Sequence, residues 1–181
     1  EIELGLEVLH RLFGLRPRGY RCPAGETTDR LIPLLQRYGF SYDSSFMDDI
    51  HPYIHQHQGA STNVVEIPWH WSLDDVPYTV YSLRGQRAIQ TNDHILTIWQ
   101  EEFEQYYQRG ALFDLILHPQ AIGRPSRLVL LRKFIASKVS NRSSRWFIWM
   151  SLLLPNLCAG RYCCCTGKIS RDHISEKQPP L

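Results

Sequence analysis

Three short stretches of this sequence place polar or aromatic groups where a chain of alternating strands and helices would expose them. Leu115-Ile116-Leu117-His118-Pro119 sets a histidine directly after an apolar run. An imidazole held at the mouth of a strand suits a general acid or a metal ligand, although an isolated histidine more often has a structural role. Trp69-His70-Trp71-Ser72-Leu73-Asp74-Asp75 combines aromatic faces, which suit sugar rings or other flat ligands, with paired carboxylates suited to acid–base work. The same residues also read as plain core, with Asp74 capping a turn. Arg21-Cys22-Pro23-Ala24-Gly25-Glu26 offers a guanidinium whose planar fork fixes a carboxylate or phosphate through two hydrogen bonds. A structural ion pair accounts for that arginine equally well.

A fourth pattern is set aside. His51-Pro52-Tyr53-Ile54-His55, with His57 beyond, has the spacing that puts two imidazoles on one helical face. Pro52 disfavours that helix, so the segment reads as a surface loop and no metal ligand is assigned to it.

The elements that must position these groups follow from apolar spacing. Residues 2–13 carry a helical pattern closed by Gly14, and Gly19–Cys22 reads as a short strand. Thr27 or Thr28 caps a second helix whose face is Leu31, Leu34 and Leu35, with Gly39 ending it at Tyr38. Strands are expected at 40–44 and 64–68, with a polar loop over 48–60 between them. A helix over 92–109 opens at Asn92 or Asp93, and 112–117 reads as a buried parallel strand. Pro125 to Lys138 forms the next helix, with Leu128, Leu131, Phe134 and Ile135 on its core side. Short strands alternating with helices point to parallel βα units.

Composition is that of a globular chain, 43% hydrophobic, and a net charge of +2 gives no reason to expect a nucleic-acid partner. The charge is unevenly spread. Residues 1–120 hold 9 Lys/Arg against 16 Asp/Glu, whereas residues 121–181 hold 11 against 2. The basic end also carries Cys158, Cys163, Cys164 and Cys165, a crowded set without zinc-site spacing. It reads as a divergent tail over 141–181, through truncation or altered coding, or as a basic binding tail. The apolar stretch 146–154 is about half of the roughly 20 residues a membrane helix needs, so a membrane span is rejected. The sequence opens inside an amphipathic helix with no initiator methionine and no visible signal-peptide pattern, so it reads as clipped at its start.

Read in order, these segments resemble a known family. Gly19-Tyr20-Arg21-Cys22-Pro23-Ala24-Gly25-Glu26, followed by Gly39-Phe40-Ser41-Tyr42-Asp43-Ser44-Ser45, looks like the third motif of the polysaccharide deacetylases, the NodB homology domain. Residues 65–78, from Val65-Glu66-Ile67-Pro68 through Asp74-Asp75, are similar to the fourth motif region, and residues 113–128 to the fifth. The resemblance covers residues 1–140 and leans toward peptidoglycan deacetylases and allantoinase-like hydrolases. It implies an α/β fold, a partial, distorted (β/α)7 barrel lacking its N-terminal strands. The activity implied is hydrolysis of a carbon–nitrogen, non-peptide bond. Its principal form is removal of acetate from an N-acetylated glycan, with a small cyclic amide or ureide as the other substrate class.

By the same resemblance, His118 is the general acid and Arg21 the arginine that orients a catalytic base. Asp74, Asp75 and Trp71, together with Trp69, line the site. A divalent metal, zinc, is expected, held by one Asp and a His-x3-His pair. Those ligands belong to two motifs that precede the matched ones and have no counterpart in this sequence. An inactive remnant, at most a weak sugar-binding module, is therefore a third expectation.

Overall fold

The computed structural model describes residues 2–81 and 88–139, together with the backbone of two short strands at 149–150 and 175–176. It is mixed α/β and divides into two compact units, residues 1–68 with 169–181 and residues 69–168.

In the first unit, helix α1 (Ile2–Phe13) ends at Gly14 in the left-handed region, as the sequence predicts. Strand β1 (Gly19–Tyr20) pairs in parallel with β2 (Tyr42–Asp43), and β2 with β4 (Ala60–Glu66). Between β1 and β2 lies α2 (Leu31–Tyr38), closed by Gly39 at φ 76°. The expected cap at Thr27 or Thr28 is displaced, because the helix begins three residues later. Leu31, Leu35, Phe40 and Val64 form the core here.

The loop expected over 48–60 is not one. Tyr53–His57 forms strand β3, antiparallel to β4, with a register shift between Ile54 and Gln56. Tyr53 and His55 are buried, and alternate residues point inward. The sheet is therefore not purely parallel. Its order is β1-β2-β4-β3-β7, where β7 is Ser175–Glu176.

The second unit holds α3 (Val76–Thr79), α4 (Asn92–Gln108), β5 (Asp114–Leu115), α5 (Pro119–Ile122), α6 (Pro125–Val139) and β6 (Trp149–Met150), which pairs in parallel with β5. Thr91 caps α4 by accepting from the His94 N–H at 3.3 Å. Neither Asn92 nor Asp93, the two residues expected to open it, is the cap; Asn92 donates to the Ser126 carbonyl and accepts from Arg127. That ties α4 to the start of α6.

Trp99 and Phe103 of α4 pack on Leu130 and Phe134 of α6 and on Phe113, Leu115 and Leu117. The inward stripe of α6 is thus Leu130 and Phe134, one turn apart, with Leu131 half-buried beside it. Leu128 and Ile135, expected inside, are each 37% exposed. Among the four residues expected to face the core, only Phe134 is fully buried. The remainder of the Trp146–Cys165 stretch lies outside the described residues.

Candidate active site

The His118 group is built entirely within the second unit. Residues 113–117 are all buried, with Phe113, Leu115 and Leu117 packed in the core of this unit, and they carry the chain to His118. Alongside it, residues 73–75 run parallel. The Ile116 N–H donates to the Leu73 carbonyl at 2.8 Å and the Asp75 N–H to the Ile116 carbonyl at 3.1 Å. This pairing fixes Asp75 against the end of the strand.

The fully buried Asp75 carboxylate then takes two hydrogen bonds from one residue. His118 donates its backbone N–H at 3.0 Å to Oδ2, and its ring Nδ1 lies 2.8 Å from Oδ1. An ionised carboxylate only accepts, so Nδ1 carries the hydrogen and Nε2 is left with its lone pair. The His118 side chain is 24% exposed. Burial raises the Asp75 pKa, while the two bonds from His118 oppose that rise.

Asp74 has a different task. Its Oδ1 accepts from the Val76 N–H at 2.7 Å at the start of α3 and stands 3.7 Å from His118 Nδ1. The turn-capping role is thus present, with a second negative charge held near the imidazole.

Trp69 and Trp71 meet edge to face, with ring centroids 4.7 Å apart. Trp69 is buried and supports its neighbour, whereas Trp71 is 39% exposed and offers an aromatic face. His70 caps the turn at 71–73, its Nδ1 accepting from the Ser72 N–H at 3.2 Å.

Arg21 belongs to the first unit. Its Nε donates to the Ser44 carbonyl at 2.8 Å and another guanidinium nitrogen donates to the Ser44 hydroxyl. The fork thus clamps the loop after β2.

A second titratable group, absent from the sequence reading, lies in the first unit: Asp43, His55 and Glu66, all buried. His55 Nε2 is 2.8 Å from Glu66 Oε2. Burial, then the neighbouring Glu66 charge, pushes the Asp43 pKa up to about 7. Burial pushes Glu66 up to about 7 against hydrogen bonds that lower it. The signal available was period-two alternation, Tyr53/His55 on one strand and Val64/Glu66 on the next.

Two groups among the described residues bring metal-ligating atoms within 4.8 Å of one another: Asp43/His55/Glu66 and Asp74/Asp75/His118. Neither is the one-Asp, His-x3-His set that the resemblance implies. His51 is 43% exposed beside Asp49, whereas His55 is buried against Glu66, so the two imidazoles do not form a pair. The zinc set of the family does not fit these residues.

The structure thus holds an oriented histidine–carboxylate pair on an α/β scaffold, and the chain has likenesses among known proteins. It is 27% identical, over 168 aligned residues, to a peptidoglycan deacetylase of Helicobacter pylori, covering 78% of this chain and 57% of that protein. A solved structure from Mycobacterium smegmatis assigned to the polysaccharide deacetylases matches with a TM-score of 0.73 and 34% identity, over 81% of this chain and 51% of that one. An allantoinase structure matches with a TM-score of 0.63 and 25% identity, over 81% and 48%. No protein-family model matches the chain. The chain is a relative of the polysaccharide deacetylase family, and it spans about half the length of these relatives.

Proposed function

We propose that this chain carries the proton-donating side of a hydrolase of carbon–nitrogen, non-peptide bonds, acting in its parent protein on an N-acetylated glycan. The observation that carries this reading is the double grip of Asp75 on His118. It orients the ring and leaves Nε2 as the atom that exchanges protons. Hydrolysis adds water to the amide carbonyl and breaks the C–N bond. The departing nitrogen must gain a proton, which His118 Nε2, once protonated, delivers. Asp75 then stabilises the ring through the charged and neutral halves of the cycle, with Asp74 adding a weaker field. Trp71 supplies a face on which a sugar ring stacks, and Arg21 keeps the loop at Ser44 in place.

Zinc would supply an activated water and a polarised carbonyl, and its ligands lie outside the motifs matched here. All the residues invoked fall within 1–140, proposed as the catalytic part, with 141–181 a divergent tail. The likeness to the solved relatives supports reading the parallel strands as part of a distorted (β/α)7 barrel. The allantoinase likeness favours a small cyclic ureide as the second substrate class.

A substrate panel followed by NMR tests the reading. N-acetylglucosamine oligomers should shift the Trp71 indole and His118 imidazole signals, and fully deacetylated oligomers should not. Acetate release by the purified chain should stay near background. A general acid contributes about 10²–10⁴-fold, whereas metal activation lowers the water pKa from about 15.7 to about 7. Response to allantoin but not to the glycan would move the assignment to the ureide class. No response to either ligand would refute it.

A further inference from the structure

Asp43, His55 and Glu66 play no part in the acid–base chemistry above, yet their placement carries an electrostatic cost. Asp43 and Glu66 are registered partners on the adjacent parallel strands β2 and β4, so their carboxyl groups share one face of the sheet. Like charges in that position repel, and both residues are fully buried. The register shift in β3 falls at His55, and such irregularities re-aim side chains. Here it brings the imidazole onto the same two carboxyl groups.

Protein donors satisfy part of this cluster only. Glu66 Oε1 accepts from the Ser45 and Phe46 N–H groups at 3.0 and 2.9 Å, and Oε2 lies against His55. Asp43 Oδ1 accepts from the Ser45 hydroxyl at 2.7 Å. Asp43 Oδ2 is buried and has no hydrogen-bond partner among the described residues. A buried carboxylate oxygen without a donor is costly unless a cation or a proton meets it.

We propose that Asp43, His55 and Glu66 form a binding site for one divalent transition-metal cation, of which zinc is the best match. Two carboxylate oxygens and one imidazole suit zinc and its neighbours, whereas calcium and magnesium favour all-oxygen sets. A metal-ligating imidazole must be neutral, and His55 is buried with Nε2 turned toward the Glu66 carboxyl. With His55 neutral, two ionised carboxylates are balanced in full by a divalent ion, while one shared proton leaves a negative charge buried. Zinc bonds of about 2.0–2.2 Å would draw the donor atoms inward from the 4.8 Å that bounds this cluster. The ion would tie β2, β3 and β4 together. His51 takes no part, so this set is distinct from the one-Asp, His-x3-His set.

The test uses the full 181-residue chain, stripped with chelator, with its five cysteines alkylated so that free thiols do not compete for the added zinc. Zinc is then titrated by equilibrium dialysis and by thermal melting. The expected result is a single ion per chain, with a raised melting temperature. Binding should weaken roughly a hundredfold in His55→Asn and in Asp43→Asn, at least the cost of losing an outer-shell partner of a metal ligand. It should be unchanged in His118→Asn. Absence of binding, or binding lost in His118→Asn and kept in His55→Asn, would overturn the proposal and leave a shared proton between the carboxyls. Should the first-unit variants fail to fold, anomalous diffraction at the zinc edge from crystals of the unmodified sequence decides. A peak between Asp43 and Glu66 supports the site, and a peak elsewhere or none overturns it.

Discussion

Replacing Asp75 by Asn should reverse the tautomer of His118. In the native arrangement the Asp75 carboxylate accepts from the His118 backbone N–H and faces ring Nδ1 at 2.8 Å. Placing the ring hydrogen on Nε2 would set two lone pairs against each other and forfeit a hydrogen bond to a charged acceptor, about 1.5–3 kcal/mol. At about 1.4 kcal/mol per tenfold, the Nδ1–H form is favoured roughly ten- to hundredfold. The substituted amide would have one oxygen, which must serve the backbone N–H because that donor cannot rotate away. Its NH2 group then meets Nδ1, which becomes the acceptor, and Nε2 takes the hydrogen. Two charge-assisted bonds become neutral ones, a loss of roughly 2 kcal/mol. Part of this is returned because the amide carries no buried charge. Multiple-bond 15N–1H correlation of the imidazole reads the tautomer directly, and chemical denaturation reads the stability. A native chain showing hydrogen on Nε2, or an Asp75→Asn chain retaining it on Nδ1, would refute this account of how the His118 ring is oriented.

Tyr78 should dominate the alkaline behaviour of the α3 region. Its hydroxyl donates to the Ser72 carbonyl at 3.1 Å, and burial raises its pKa above the usual 10. Because the folded value exceeds the unfolded one, its contribution is complete below about pH 10 and lost as pH rises through the folded pKa. Tyr78→Phe should therefore cost about 0.5–1.5 kcal/mol at neutral pH, with the gap to the parent chain closing in urea melts above pH 10. Arg21→Lys keeps the charge but not the fork that holds Ser44. It should destabilise the first unit by roughly 1–3 kcal/mol, and an unchanged denaturation midpoint would show that the clamp contributes nothing.

Local chemistry made much of the fold legible. Gly14 and Gly39 end helices at φ 64° and 76°, where other residues are strained, and both boundaries were readable from the sequence. The buried run before His118 was equally plain. The errors arose where a tertiary partner outweighed local pattern. His51, Asp48 and Gln58 made 48–60 look like a loop, but pairing with β4 turns Tyr53–His57 into a strand. In α6 several leucines could have faced inward. Arg127 settled the rotation by reaching Asn92 Oδ1 and the Gln90 carbonyl, which places Leu130 and Phe134 against α4.

The candidate sites differ in legibility for a related reason. His118, Asp74 and Asp75 are close to apolar runs that end in polar residues, and a strand end is recognisable without knowledge of its neighbours. Asp43, His55 and Glu66 are far apart in the chain and converge only through strand register, which sets Asp43 opposite Glu66 and bends His55 toward both. No single segment announces them. A one-residue slip between β2 and β4 would turn Glu66 to the opposite face and leave Val65 beside Asp43. Burial therefore selects the register, and the register assembles the cluster. The sequence signal that remains is a charged residue at an inward position of each strand, Asp43, His55 and Glu66 alike. That is costly unless the three are answered together, which is why the cluster reads as one site and not as three separate irregularities.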